Sequence, residues 1–281
     1  MSLEIRVYQK KNTAKIAKLF KESISDIYSS RFLAKQLAVR DIKAQYRQSY
    51  LGIIWAFVTP LTTAFVWIFL NETGTIKLTD TGVPYPVYAF SGTLLWSIIK
   101  DSINAPTAST NGAKGIMSKI NFPKEALIIS GIYKLLFNSS VKIVLLIVFV
   151  FFYGIGYHHS LLLFPFAILG AILFGTTLGL FLTPIGMLYK DIAKMVAMGL
   201  SLLMYITPVV YAIPKEGILK TLMEWNPFTP LILTTRDFIL GTEPIYLSYF
   251  IGIILISIPL FFIGLLFYRI SIPIIVERMS A

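Results

Sequence analysis

The sequence contains no cysteine and few charged residues. Its 281 residues include no Cys, two His and only 14% charged side chains, against about 25% in typical soluble domains. The missing cysteines exclude disulfides, thiolate chemistry and cysteine-ligated metals. The two histidines, His158 and His159, have no carboxylate nearby at a metal-ligand spacing. We therefore predict neither a metal site nor a catalytic residue.

Two further motifs are missing. No G-x-x-x-x-G-K-[ST] loop is present, and Lys114 in the stretch NGAKG lacks both its spacing and its following hydroxyl residue. Any ATP and Mg²⁺ are therefore expected on another chain, and none is expected as a cofactor here. The first 30 residues are basic but lack the apolar run of a signal peptide, so none is expected.

Apolar residues are what the sequence has in abundance. They make up 56% of the chain, and the mean hydropathy is +0.74, which indicates a membrane protein. A helix that spans a bilayer needs roughly 20 apolar residues. Six segments meet that need, which predicts an all-α integral membrane protein with six transmembrane helices: about 51–70, 84–103, 126–153, 161–188, 193–213 and 245–268.

Lys and Arg are distributed unevenly between the connections. Nineteen of them lie in the connections on one side of the predicted spans and four on the other, namely Lys77, Lys215, Lys220 and Arg236. Positively charged connections stay in the cytoplasm. We therefore expect a multi-pass protein of the bacterial cytoplasmic (inner) membrane with both termini cytoplasmic.

The residues before the first span have a two-sided pattern. On a helix over 31–49, apolar and basic residues fall on different faces: Ala38, Val39, Ile42 and Tyr46 against Arg40, Lys43 and Arg47. This pattern predicts an amphipathic helix at the cytoplasmic membrane surface. The alternative is that the basic residues are ordinary positive-inside anchors.

The order of residues in this region is also informative. RDIKAQYRQSYLGIIWAFVTPL resembles the segment that leads into the first span of ABC-2-type permeases that export polysaccharides. The resemblance rests on Arg40, Asp41, Ile42, Lys43, Tyr46, Arg47, Ser49, Leu51, Gly52, Trp55 and Pro60. LYKDIAKMV (188–196) and EWNPFTPLILTTRDFIL (224–240) are similar to two further segments of that family, so the resemblance covers nearly all of 31–281.

This resemblance implies a homodimeric permease that binds two copies of a separate ATP-binding subunit and exports a lipid-linked glycan. The glycan types of the family include O-antigen, teichoic acid and capsule. The implied domain is 31–281, with 1–30 as a cytoplasmic extension of unassigned role. Coupling to the ATPase is expected from Arg40, Asp41, Lys43, Arg47, Met117, Lys119, Phe122, Lys124, Lys190 and Asp191.

Two other functions stay open. One is an ABC-2 permease for a drug or another lipid. The other is a membrane-embedded enzyme or ion-coupled transporter, which would need acidic or His residues inside the spans. The apolar parts of the six spans contain none, if the second is taken to end at Ile99.

Candidates for the substrate pathway fall into two groups. Lys134, Asn138 and Lys142 recur every fourth residue, so they share one stripe of the third span. Lys142 could meet a phosphate of a lipid carrier, whereas Lys134 could simply reach the interface. The second group contains aromatic residues that suit sugar rings, although packing explains most such residues: Trp55, Tyr88, Trp96 and Tyr205.

The segment before the last span is apolar but interrupted by Asn226, Pro227 and Pro230. It predicts a re-entrant or interfacial helix pair, because irregular backbone at membrane depth survives only inside protein or against water.

Overall fold

The computed structural model describes residues 16–47, 50, 52–74, 82–117, 119–120 and 122–280. All regular structure in these ranges is helical, which confirms the predicted all-α class. The α-helices in chain order are α1 (Ile16–Ser29), α2 (Arg31–Arg47), α3 (Trp55–Glu72), α4 (Tyr85–Gly112), α5 (Lys114–Met117), α6 (Glu125–Phe152), α7 (Phe164–Leu188), α8 (Lys190–Leu203), α9 (Ile218–Trp225), α10 (Phe228–Leu240) and α11 (Leu247–Ser280). Residues 1–15 of the predicted extension, and 48–49 and 51 near the first span, lie outside the described ranges.

Within these ranges, three helices are long and apolar enough to cross a membrane: α6, α7 and α11. They lie on the third, fourth and sixth predicted segments. The other three predicted segments fall on α3, on α4, and on α8 with the 3₁₀ turn Met204–Ile206 that follows it.

Two helix ends differ from the predicted segments. α8 ends at Leu203 rather than near residue 213, because Pro208 disfavours helical backbone at the residue before it and Thr207 is extended. α4 continues to Gly112, well past residue 103. Its last turns remain helical and pack against α7.

α4 lies at the centre of the bundle, where it packs against α3, α6, α7 and α10. Gly175 and Gly179 of α7 allow the closest approach. A Cβ atom on Gly179 would lie 3.0 Å from two ring carbons of Pro106 and nearer still to the carbonyl oxygen of Ile103. This G-x-x-x-G pair therefore brings two helices of one chain together, as small residues do in membrane bundles.

A second contact attaches α1 to the bundle. The Arg269 guanidinium of α11 pairs with Asp26 at 2.7 Å, with Glu22 at 3.6 Å, and with Glu125 at the start of α6. Ser23 donates a hydrogen bond of 3.0 Å to Glu125, which is buried. We call Glu22, Ser23, Asp26, Glu125 and Arg269 the Arg269 cluster. It holds part of the N-terminal extension against α6 and α11.

The close α4–α7 contact predicts a matched pair of stabilities. Gly179→Ala should lower the free energy of unfolding by about 1–3 kcal/mol, because the added methyl group meets backbone and a proline ring. Gly186→Ala in the same helix should not, since a Cβ there has no neighbour within 4 Å. Thermal unfolding of the purified variants in detergent measures both, and equal midpoints would contradict the packing described.

The Arg269 cluster predicts how α1 is held. Arg269→Met should release α1 and cost roughly 3 kcal/mol, because it leaves the Glu125 carboxylate buried without its cation. Limited proteolysis should then cut within residues 16–29. Arg31→Met is the control, since the exposed Arg31 contacts only the neighbouring Tyr28 ring at 4.2 Å among the interactions described. Protection of α1 in both variants would show that apolar packing alone holds it.

Candidate functional site

A cavity of about 480 Å³ lies between α2, α3, α4, α6 and the end of α8. The following residues line it: Gln45, Trp55, Thr59, Pro60, Thr63, Thr93, Trp96, Ser97, Lys100, Asp101, Asn138, Lys142, Ser201, Met204 and Tyr205. It brings together most of the predicted pathway residues, namely Trp55, Trp96, Asn138, Lys142 and Tyr205. Lys134 and Tyr88 are not among the lining residues. We call this space the polar cavity.

Helical spacing explains how the lining forms. The α4 residues follow steps of three and four from Thr93 to Asp101, so they occupy one face. The α6 residues Asn138 and Lys142 are four apart. Since α4 packs against both α3 and α6, these faces meet in one space.

Lys142 is the buried cation of the polar cavity. Its Nζ atom donates hydrogen bonds of 2.6 Å to the Asp101 carboxylate and 2.6 Å to the Ser97 hydroxyl. The Lys142 side chain is 6% exposed and that of Asp101 is 45% exposed. An ammonium removed from water needs such an anion, because its desolvation is otherwise uncompensated. The cation is thus buried, while its counter-charge still faces the cavity.

Asp101 corrects the sequence analysis. The apolar parts of the spans contain no acidic residue, but α4 extends past Ile99 and carries Asp101 to the level of Lys142. An acidic residue therefore lies beside Lys142 in the bundle, so a lack of acidic residues no longer counts against ion coupling or intramembrane catalysis. The available signal was Lys142 itself, since a lysine in an apolar segment requires an anion on a neighbouring helix.

α2 forms one wall of the polar cavity. Gln45 lines the space, and the Tyr46 hydroxyl donates a hydrogen bond of 2.9 Å to the Asn138 side-chain oxygen. Lys134 lies one turn before Asn138 on α6 and is half-buried. The helix before the first span is therefore bonded directly to the helix that carries Lys142.

The four aromatic candidates have different surroundings. Trp55 and Tyr205 are about half exposed at the cavity, whereas Trp96 is buried with an edge contact of 5.5 Å to Phe228. Tyr88 lies elsewhere, and its ring packs 3.7 Å from the Arg236 guanidinium carbon. Its hydroxyl donates to the Tyr211 carbonyl oxygen at 3.3 Å. Tyr88 thus takes part in interior packing rather than in the cavity wall.

The burial of Arg236 was not predicted from the sequence. The sequence places Arg236 among the charges of the connection before the last predicted span, but its side chain in α10 is fully buried. It donates to the Pro208 carbonyl oxygen at 3.1 Å and to that of Val209. These carbonyls lie just past the end of α8, where no helix bonds satisfy them, so a buried donor is required.

The interruption before the last span is an anchored corner. α9 ends at Trp225 and α10 begins at Phe228, so two helices meet at this interruption, and their re-entrant or interfacial placement stays a prediction. The Asn226 amide donates to the Ile206 carbonyl oxygen at 2.8 Å and to the Thr207 hydroxyl at 2.9 Å. Its side-chain oxygen accepts from the Phe228 amide at 3.0 Å. Asn226 therefore joins this corner to the break after α8.

The predicted coupling residues of α2 lie on its surface. Arg40, Lys43 and Arg47 are exposed, and Arg40 donates to Asp41 at 2.9 and 2.7 Å. The helix buries Ala34, Leu37 and Ala38, and it packs against α6. Val39 is exposed, so the predicted apolar face is displaced by part of a turn. Contact with α6 determines which face of α2 is buried.

Of the coupling residues predicted in the connection between α4 and α6, Lys119 is exposed but Met117 is not. Met117 is 5% exposed and packs with Leu37 and Leu127, so its side chain is unavailable to a partner. Ile120 is 59% exposed instead. Lys119 is also exposed.

The remaining coupling candidates lie near helix starts. The Lys124 ammonium lies 4.3 Å from the centre of the Phe122 ring. Burial lowers the pKa of Lys124, and the neighbouring Glu125 carboxylate partly offsets that effect. Asp191 is exposed at the start of α8, and the side chain of Lys190 lies outside the described part of the structure. Among the residues described, no group of three His, Asp or Glu side chains could hold a metal ion.

Comparison with known proteins gives consistent results. The sequence profile of the family described as ABC-2 type transporter matches residues 33–240. The chain is similar to proteins named O-antigen export system permease protein RfbA. One from Klebsiella pneumoniae is 27% identical over 259 residues, which cover 88% of this chain and 98% of that protein. One from Myxococcus xanthus is 26% identical over 212 residues, which cover 74% of this chain and 80% of that protein.

Proposed function

This chain belongs to the ABC-2 type transporter family, and from that premise we propose that it is the membrane subunit of an ATP-driven exporter of a lipid-linked polysaccharide. The proposal rests on how much of the two sequences aligns. The likeness to a permease named for O-antigen export extends over nearly the whole of that relative and most of this chain. O-antigen is thus our first choice of glycan, ahead of teichoic acid or capsule.

The proposed membrane arrangement has six spans in the inner membrane. They are α3, α4, α6, α7, α8 with its following turn, and α11. The bias of 19 Lys and Arg against four supports cytoplasmic termini. In this arrangement α1 and α2 lie on the cytoplasmic side and the α9–α10 corner lies on the outer side. The domain is 31–281, and α1 belongs to the extension 1–30.

The proposed partners are a second copy of this chain and two ATP-binding subunits. The sequence has no phosphate-binding loop of its own, which supports a division of labour in which the partner binds ATP and Mg²⁺. The homodimer follows from the family resemblance. The exposed apolar residues of α3 and α8, such as Phe69 and Met198, are compatible with it.

The proposed coupling surface is the exposed basic side of α2 with the α4–α6 connection. Arg40, Lys43 and Arg47 offer charges to an ATPase, and Lys119 and Ile120 lie in that connection. Force on α2 can reach the polar cavity directly, because Tyr46 is hydrogen-bonded to Asn138. The remaining candidates, Asp41, Phe122, Lys124, Lys190 and Asp191, stay part of this proposal, and Met117 supports it from the interior.

The proposed substrate pathway passes the polar cavity. Trp55 and Tyr205 present half-exposed aromatic faces there, and such faces pack well against the C–H surfaces of sugar rings. Asn138 adds a polar group beside Lys142. Trp96 contributes a buried edge of the wall, while Lys134 and Tyr88 lie outside the lining.

The function is tested by removing and restoring the gene in its host. Deletion should abolish long surface polysaccharide and leave the glycan inside the cell, and the tagged wild-type chain should restore it. The purified chain should bring with it a subunit that has a phosphate-binding loop and hydrolyses ATP. Unchanged surface polysaccharide after deletion, with the chain purified alone, would refute the proposal.

The role of α2 in coupling is tested by charge reversal. Arg40→Glu with Arg47→Glu should reduce export by tenfold or more while the purified complex still hydrolyses ATP, because the contact that carries the motion is reversed in charge. The control is Lys215→Glu in the segment before α9, an exposed lysine on the proposed outer side. Normal export by the double variant would make α2 a membrane anchor only.

A further inference from the structure

A second space lies farther along three of the helices that line the polar cavity. It is an apolar groove of about 440 Å³ between α3, α4 and α6, and Leu61, Phe65, Ile68, Phe90 and Phe149 are among its lining residues. We call it the apolar groove. Its lining contains no charged side chain, whereas the polar cavity contains Lys100, Lys142 and Asp101.

The two spaces follow one another along the same three helices. On α4 the groove lies at 86–90 and the cavity at 93–101. On α6 the cavity lies at 138–142 and the groove at 149–153. On α3 the cavity residues likewise begin earlier in the chain than the groove residues. From Lys142 to Phe149 is seven residues, or roughly 10 Å along the axis of α6. The charged lining and the uncharged lining thus lie on the same helices, within the length of a short hydrocarbon chain of each other.

The charges of the polar cavity suit an anion. Two lysines and one carboxylate are its charged lining groups, so its formal charge is positive. The Asp101 carboxylate is bonded to the Lys142 ammonium, but the Asp101 side chain is 45% exposed. Its carboxylate can therefore turn toward water, provided that another anion pairs with the buried Lys142. An incoming phosphate can take the position of the carboxylate and keep the buried cation paired.

We propose that the polar cavity and the apolar groove together bind a phosphorylated lipid, with its phosphate on Lys142 in place of Asp101 and its hydrocarbon chain in the groove. The inference rests on the proposed function and specifies where this chain holds the lipid anchor of its cargo. Lys100 supplies a second positive charge in the same lining. Asp101 is the competing anion that keeps Lys142 paired when the lipid is absent.

Binding is measured on the purified full-length chain in a neutral detergent. Dodecyl phosphate is the lipid probe, and inorganic phosphate and butyl phosphate are the comparisons. Trp55 and Trp96 line the polar cavity, so tryptophan fluorescence reports its occupation. We expect saturable binding of dodecyl phosphate and at least about tenfold weaker binding of both comparisons, since each lacks the chain that fills the groove. Equal affinities for the three would mean a site for free anions and would overturn the proposal.

Three variants separate the charge from the fold. Lys142→Met should weaken dodecyl phosphate binding by about tenfold to a hundredfold, the usual effect of losing a hydrogen bond to a charged group. Asp101→Asn should strengthen it severalfold, because the competing anion is gone. Lys134→Met, two turns away on the same helix and outside the lining, should leave it unchanged. Tighter binding of dodecyl phosphate by Asp101→Asn would support the proposal even if Lys142→Met folds poorly. Weaker binding by Asp101→Asn would contradict the replacement of Asp101 by the phosphate.

The same variants distinguish this inference from the proposed function. If Lys142→Met binds dodecyl phosphate like the wild type while cells still export polysaccharide, the lipid site is wrong and the export function stands. If the wild-type chain binds the probe as expected but deletion leaves surface polysaccharide unchanged, the site is right and the export function is wrong.

Discussion

An ammonium buried among apolar helices is stable only beside an anion, and Lys142 of α6 finds that anion in Asp101 of α4. This requirement aligns the two helices at one level. The other neighbours of α4 are then placed by their own contacts with it. α7 packs against α4 through Gly175 and Gly179, and α3 contacts it through the hydrogen bond of 3.2 Å from the Thr93 hydroxyl to the Pro60 carbonyl oxygen. The polar cavity is the space left beside this pair. Its net positive charge comes from Lys100, because the charges of Lys142 and Asp101 offset each other.

The same rule orders the opposite end of the bundle. Where α8 stops, the carbonyls near Pro208 have no helical partners, and the buried Arg236 supplies donors to them. The Asn226 amide donates to the Ile206 carbonyl oxygen and to the Thr207 hydroxyl. The α9–α10 corner is thus attached to the break after α8 by polar contacts. In a bundle whose surface is apolar, such contacts specify position because the alternatives leave polar groups unpaired.

Helices α1 and α2 are linked to this framework in two different ways. The Arg269 cluster ties α1 to the ends of α6 and α11 through ion pairs. α2 packs Ala34, Leu37 and Ala38 against the bundle and adds the Tyr46–Asn138 bond beside the polar cavity. Both therefore act on α6, the helix that carries Lys142. If an ATPase docks on α2 and the substrate passes the polar cavity, as proposed, the Tyr46–Asn138 bond gives a short mechanical route between the two.

The sequence by itself determined the helical class, the apolar segments, the break at Asn226 and the family resemblance, because hydropathy, helical period and proline act locally. Helical spacing was also sufficient to place Asn138 and Lys142 on one stripe. The tertiary structure alone decided which side chains meet. It paired Lys142 with Asp101, buried Arg236 and Met117, and separated Tyr88 from the cavity. Those outcomes depend on contacts between residues far apart in the chain, and the pattern along one helix carries no record of its neighbours.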